Sequence, residues 1–150
     1  MKKILLLLVA CYSFAGAGWV SAEETKSIQF LDSVLTNFPF SEAVRVGNLL
    51  FLSGQVGLVP GTRKLVAGGI KEEARQTMEN IRASLKAHGY SMSDVVKCTV
   101  MLADMSEFGT FNEVYKSFFT KPYPARSALG ANGLAFGARV EVECIAAVGK

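Results

Sequence analysis

The run Arg139-Val140-Glu141-Val142-Glu143-Cys144-Ile145-Ala146-Ala147-Val148 constrains the fold most. Its first half alternates Val140, Val142 and Cys144 with Glu141 and Glu143, and its second half is wholly apolar. Side chains on a strand alternate between faces, so the first half predicts a strand with one wet edge. The apolar second half predicts burial on both faces, hence a place inside a sheet. Such a strand needs neighbours. Residues 94–104, "DVVKCTVMLAD", are rich in β-branched residues and read as another central strand. Residues 43–60 hold two shorter strand-like runs, with Gly47-Asn48 as the turn between them.

Two stretches keep a helical period instead. From Ile70 to His88 the apolar positions Ala74, Met78, Ile81 and Leu85 form one stripe, and Gly89 is placed to end the helix. Residues 107–119 repeat the pattern through Phe108, Phe111, Tyr115 and Phe118, with Ser106 as N-cap. That aromatic stripe reads as core packing against a sheet rather than as a ligand box. The order strands, helix, strand, helix, strand predicts an α+β domain with one sheet and both helices on one face. Val44, Val46, Leu50 and Leu52 make the sheet apolar, so a partner subunit is expected on its other face. No internal repeat, linker or low-complexity segment interrupts the chain.

The amino terminus has a different logic. Lys2-Lys3, an apolar run and the small-x-small exit Val20-Ser21-Ala22 describe a secretory signal peptide removed after Ala22. Leu8-Val9-Ala10-Cys11 offers a second reading, a lipoprotein box with Cys11 lipidated and membrane-anchored. The favoured expectation is a periplasmic or secreted protein, residues 23–150 forming one domain. Loss of Lys2 and Lys3 takes the formal charge from +3 to +1, which provides no electrostatic footprint for nucleic acid. Cys98 and Cys144 fall in strand-like runs and read first as small buried hydrophobes, with a disulfide as the alternative. With His88 the one histidine, a Ser-His-Asp triad is disfavoured and a histidine-rich metal site excluded.

Residues 124–133, "PARSALGANG", fix one guanidinium beside a charge-free stretch of small residues. Pro124 sets an extended entry, and Gly130, Asn132, Gly133 and Gly137 read as a turned loop. Arg126 offers a planar fork of donors suited to a carboxylate or phosphate, although taken alone it reads first as a surface arginine. Glu141 and Glu143 share a strand face. An arginine and a carboxylate converging on a cleft would form a minimal site, one binding an acid and the other moving a proton.

Four segments occur in the order and approximate spacing of the Rid, or YjgF, family of reactive intermediate deaminases. They are Ser53-Gly54-Gln55, Phe111-Asn112-x-x-Tyr115-x-x-Phe118-Phe119, Pro124-Ala125-Arg126-Ser127 and Val140-Glu141-Val142-Glu143-x-Ile145-Ala146. The chain resembles that family over residues 38–148. The resemblance implies a chorismate-mutase-like mixed sheet, a homotrimer with clefts between subunits, and hydrolysis of 2-aminoacrylate and its imine tautomer to a 2-keto acid and ammonia. It implies that Arg126 grips the substrate carboxylate and Glu141 positions water. Gly54 and Ser53, Phe40, Asn112 and Ala128 would line the substrate pocket, with no metal or organic cofactor. Three departures stand out. Phe38-Pro39-Phe40 replaces Gly-Pro-Tyr and so loses a pocket hydroxyl, with Phe40 expected to favour a bulkier apolar side chain. Ala128 replaces a common cysteine, and the export signal separates the chain from cytoplasmic aminoacrylate. A non-catalytic trimeric carboxylate binder and a chaperone-like stress protein, or the ribonuclease activity attributed to some members, are the competing readings.

Overall fold

The computed structural model describes residues 27–32 and 38–148; the leader, its Val20-Ser21-Ala22 exit and Cys11 lie outside them. The strands are β1 (Ile28–Leu31), β2 (Ala43–Val46), β3 (Leu49–Leu52), β4 (Gln55–Val56), β5 (Val95–Leu102), β6 (Ala125–Gly130) and β7 (Val140–Ala147). The helices are α1 (Ile70–Ala87) and α2 (Phe108–Lys116). One mixed sheet runs in the order β1-β2-β3-β7-β5-β6, and β4 extends the pairing of β7. Strands β5 and β6 run parallel, joined through α2, while the other pairs are antiparallel. The expected α+β domain, one sheet with both helices on one face, is what the chain forms.

Strand β7 is central. Val140, Val142, Cys144 and Ala146 are buried beneath the helices, where the α1 stripe of Ala74, Met78, Ile81 and Leu85 is fully buried. Each buried Met, Ile or Leu side chain contributes about 1.5–3 kcal/mol of transfer free energy, so this interface supplies much of the core. The approach of α1 is close: a Cβ on Gly57 would stand 2.9 Å from the Glu73 carbonyl oxygen. The second half of β7 departs from the expectation of two-sided burial. Ile145 and Ala147 are only partly buried, because they lie on the face the helices leave uncovered. That face carries Phe30, Val44, Phe51 and Ile145 in one row across β1, β2, β3 and β7. The apolar residues of the hairpin divide accordingly. Leu50 and Leu52 are buried under the helices, whereas Val44 pairs with Phe51 on the uncovered face.

Three local expectations are corrected. A turn of 3-10 helix (Met105–Glu107) precedes α2, and the cap is Asp104, whose Oδ1 accepts from the Ser106 amide at 2.8 Å. Ser106 is therefore inside the turn it was expected to open, and the helix stops at Lys116 rather than 119. Residues 125–130 form a strand, not the start of a loop. Their small side chains carry little strand propensity, but pairing with the β-branched β5 satisfies their backbone; the turn begins after Gly130. Finally, Cys98 and Cys144 are buried, as expected, but joined in a disulfide. Register explains the bond: the two stand directly opposite in the antiparallel β5–β7 ladder, which brings their Cα atoms within 4.1 Å.

Candidate functional site

The carboxylate of Glu141 lies at the floor of a cavity of about 440 Å³, lined by Phe38, Phe40, Gly54, Val56, Leu58 and Phe136 among others. Glu141 points to the uncovered face from β7, opposite Val56 of β4 and Met101 of β5. Gly54 makes that position available, since a Cβ there would overlap the carboxylate oxygen and come within 2.9 Å of its Cδ. Burial pushes the Glu141 carboxyl above the usual range, and the nearby charge of Glu143 adds to the rise. Asn80 on α1 fastens the rim by donating to the carbonyls of Val56 and Leu58, both at 3.0 Å. Ser53 ties the neighbouring backbone down, its hydroxyl donating to the Ser41 carbonyl at 2.7 Å.

Phe38 and Phe40 form the outer wall, stacked with centroids 5.1 Å apart, and Phe136 meets Phe38 edge-on at 6.4 Å. Phe136 sits at φ 60°, a left-handed conformation that bulky residues rarely adopt. Sequence reasoning singled out Phe40 but missed Phe136 and the pairing with Phe38. The visible signal was an aromatic between small residues, immediately before Gly137.

Arg126 occupies a separate site. It lies on the edge strand β6, in register with Cys98 and hence on the helix-covered face. Its Nη1 donates to Asn112 Oδ1 at 2.9 Å, and its guanidinium carbon stands 4.7 Å from the Tyr115 ring centroid and 5.3 Å from that of Phe108. Two members of the α2 aromatic stripe therefore hold a cation as well as packing against the core. Burial raises the Tyr115 hydroxyl above its ordinary range, with Arg126 partly opposing the rise. The clamp orients the guanidinium while leaving other donors of its fork unused by Asn112. Ala128 follows on the same strand face, exposed and opposite Val100.

Glu141 and Arg126 point from opposite faces of the sheet. Cys98 pairs with Arg126 and Cys144 under the helices, whereas Met101 pairs with Glu141 on the other face, and residues three apart on β5 cannot share a face. One chain thus brings Phe40, Gly54 and Glu141 together, and Asn112 with Arg126, but does not bring these two groups together. Ser53 braces the first, and Ala128 lies beside the second.

A helix-backed mixed sheet of this order, with a carboxylate on its open face and an aromatic-clamped arginine at its edge, defines a chorismate-mutase-like α+β domain of the reactive intermediate deaminase type. The chain belongs to the family described as Endoribonuclease L-PSP, whose model matches residues 31–148. It is 50% identical over 111 residues to the mouse 2-iminobutanoate/2-iminopropanoate deaminase, covering 74% of this chain and 82% of that protein. Among solved structures it is similar to RidA from an Antarctic Psychrobacter species, with TM-score 0.72 and 39% identity over 83% of this chain and 99% of that one. It is also similar to Escherichia coli TdcF with bound serine, with TM-score 0.71 and 33% identity over 80% of this chain and 94% of that one.

Proposed function

We propose that this protein is an imine deaminase, hydrolysing carboxylate-bearing imines of the 2-aminoacrylate/2-iminopropanoate type to 2-keto acids and ammonia, in a site shared between two copies. The observation that carries the reading is the half-site at Glu141: a carboxylate with a raised pKa, held against a glycine at the floor of an apolar cavity. The relatives' names specify the reaction class. In a homotrimer, Arg126 of one copy would enter the Glu141 cavity of the next and complete the site.

The chemistry follows from the two groups. Arg126 binds the substrate carboxylate through the donors of its fork and fixes the C=N carbon above Glu141. With the imine nitrogen protonated, Glu141 as the carboxylate takes a proton from water as the oxygen attacks that carbon, and the C=N π electrons pass to nitrogen to leave a neutral amine. Glu141 then returns its proton to the nitrogen and takes the hydroxyl proton as C=O forms, C–N breaks and ammonia leaves, that last proton passing on to ammonia or solvent. An enamine enters the same route after protonation at carbon.

The family description also names a ribonuclease. Among the described residues, those lining the cavity include Glu42 and Glu141 and no lysine or arginine, a poor setting for a polyanion. The disulfide between Cys98 and Cys144 supports export to an oxidising compartment through the proposed leader. The test is release of 2-keto acid from imines made in situ by an amino-acid oxidase, with Arg126→Ala and Glu141→Gln beside the intact protein. Activity confined to the intact protein supports the reading. A carboxylate binder would give no hydrolysis yet bind keto acids through Arg126, and a chaperone-like protein would be indifferent to both substitutions.

A further inference from the structure

We infer that the three rings Phe38, Phe40 and Phe136 form a selectivity wall that directs the site toward imines with a large apolar side chain, branched or aromatic, over three- and four-carbon ones. This inference rests on the imine-deaminase reading of the Glu141 cavity.

The cavity is larger than a three-carbon acid needs. In a single copy, before a neighbour's Arg126 enters, it measures about 440 Å³, within the range of pockets that take drug-sized ligands. A substrate whose carboxylate meets an arginine and whose C=N carbon sits over Glu141 extends its side chain into the remaining volume. The walls there are Phe38, Phe40, Phe136, Val56, Leu58 and Val59. Phe40 and Phe136 are each about half exposed, at 53% and 48%, so two of these rings present apolar surface to an occupant. Phe38 holds them together, stacked on Phe40 and edge-on to Phe136, with Arg63 over its ring at 5.4 Å. Phe136 keeps its position in a left-handed backbone conformation that glycine or asparagine would occupy with less strain. A small imine would leave these rings wet and the cavity partly filled by water, whereas a leucine- or phenylalanine-derived imine would cover them. Each added methylene in such a pocket is worth about tenfold or more in specificity.

The experiment compares kcat/KM for imines generated from alanine, leucine and phenylalanine, and affinities for pyruvate, 4-methyl-2-oxopentanoate and phenylpyruvate by calorimetry. It uses the intact protein, Phe136→Asn, which suits the backbone but removes the ring, and Phe38→Leu as a second variant should the first not fold. The expected result is a preference of about tenfold or more for the leucine- or phenylalanine-derived imine, falling to within about threefold in the variant. Equal rates across the panel, or a preference the variants leave untouched, overturn the selectivity wall while the deaminase reading stands. Should no imine be hydrolysed, the deaminase reading falls and the keto acids decide. Tighter binding of the larger acids, lost in the variant, upholds the wall, and equal binding of all three removes it.

Discussion

Gly54 and Glu141 are in such close contact that no side chain could stand between them. The Glu141 carboxylate occupies the space where a Cβ on residue 54 would lie. A backbone glycine on one segment thus sets the position of a carboxylate on the central strand.

Gly54→Ala should therefore leave the fold assembled while moving the carboxylate. Displacement of a catalytic group by about 1 Å can lower rate by about 10²-fold, so a loss of that order in kcat is expected, with keto-acid affinity changed less. Steady-state kinetics beside a thermal melt distinguishes this from simple unfolding. A near-normal kcat would mean that Glu141 can act from another position.

Glu141→Gln should lower hydrolysis by about 10²- to 10⁴-fold while retaining keto-acid binding. Because burial raises the carboxyl in the folded state, activity of the intact protein should decline on acidification through that raised value, as the base becomes protonated. Stability should move the other way. The folded state binds its proton more tightly than the unfolded one, so Glu141 is least unfavourable when protonated. Its ionisation detracts from stability as pH rises from the ordinary carboxylate value through the folded one. Melts across that window should show the Gln variant lacking this decline.

Arg126→Lys keeps the charge but loses the planar fork and the fit between Tyr115 and Phe108. Its carboxylate affinity should fall about tenfold or more, read as a rise in KM and in the keto-acid Kd. Asn112→Ala, which removes the acceptor for Nη1, should produce a smaller change of the same kind. An unchanged Kd for both would place the carboxylate elsewhere.

The disulfide closes a loop across a sequence separation of 46 residues between two buried positions. Its removal in a Cys98→Ala/Cys144→Ala double variant should lower stability by about 2–4 kcal/mol, measured by denaturant unfolding. Adding reductant to the double variant should have no further effect. A variant as stable as the intact protein would show that the bond contributes nothing to the fold.

The sequence was most informative where periodicity is strong. The alternation in β7, the β-branched β5, the Gly47-Asn48 hairpin and the α1 stripe each marked their element, since burial of one face imposes the period. Strand β6 was missed because Ala125, Ser127, Ala128 and Gly130 have little intrinsic preference for a strand; pairing with β5 places them there. The Cys98–Cys144 bond depends on cross-strand register, which a single strand's pattern does not encode. Arg126, Glu141 and Gly54 were recognisable from motif resemblance, whereas their division between two faces required the parallel β5–β6 and antiparallel β5–β7 registers together. Phe136 joins the cavity through a left-handed loop residue, a tertiary outcome with no period to announce it.

The shared site is tested most directly by mixing two inactive proteins. Arg126→Ala and Glu141→Gln should each be almost inactive as pure assemblies. Unfolded together in equal amounts with the disulfide intact, and refolded, they should recover activity in about a quarter of sites, those pairing an intact Arg126 on one copy with an intact Glu141 on its neighbour. A mixture that assembles, shown by tagging one variant and recovering both, yet stays as inactive as its parents would contradict a site built from two copies.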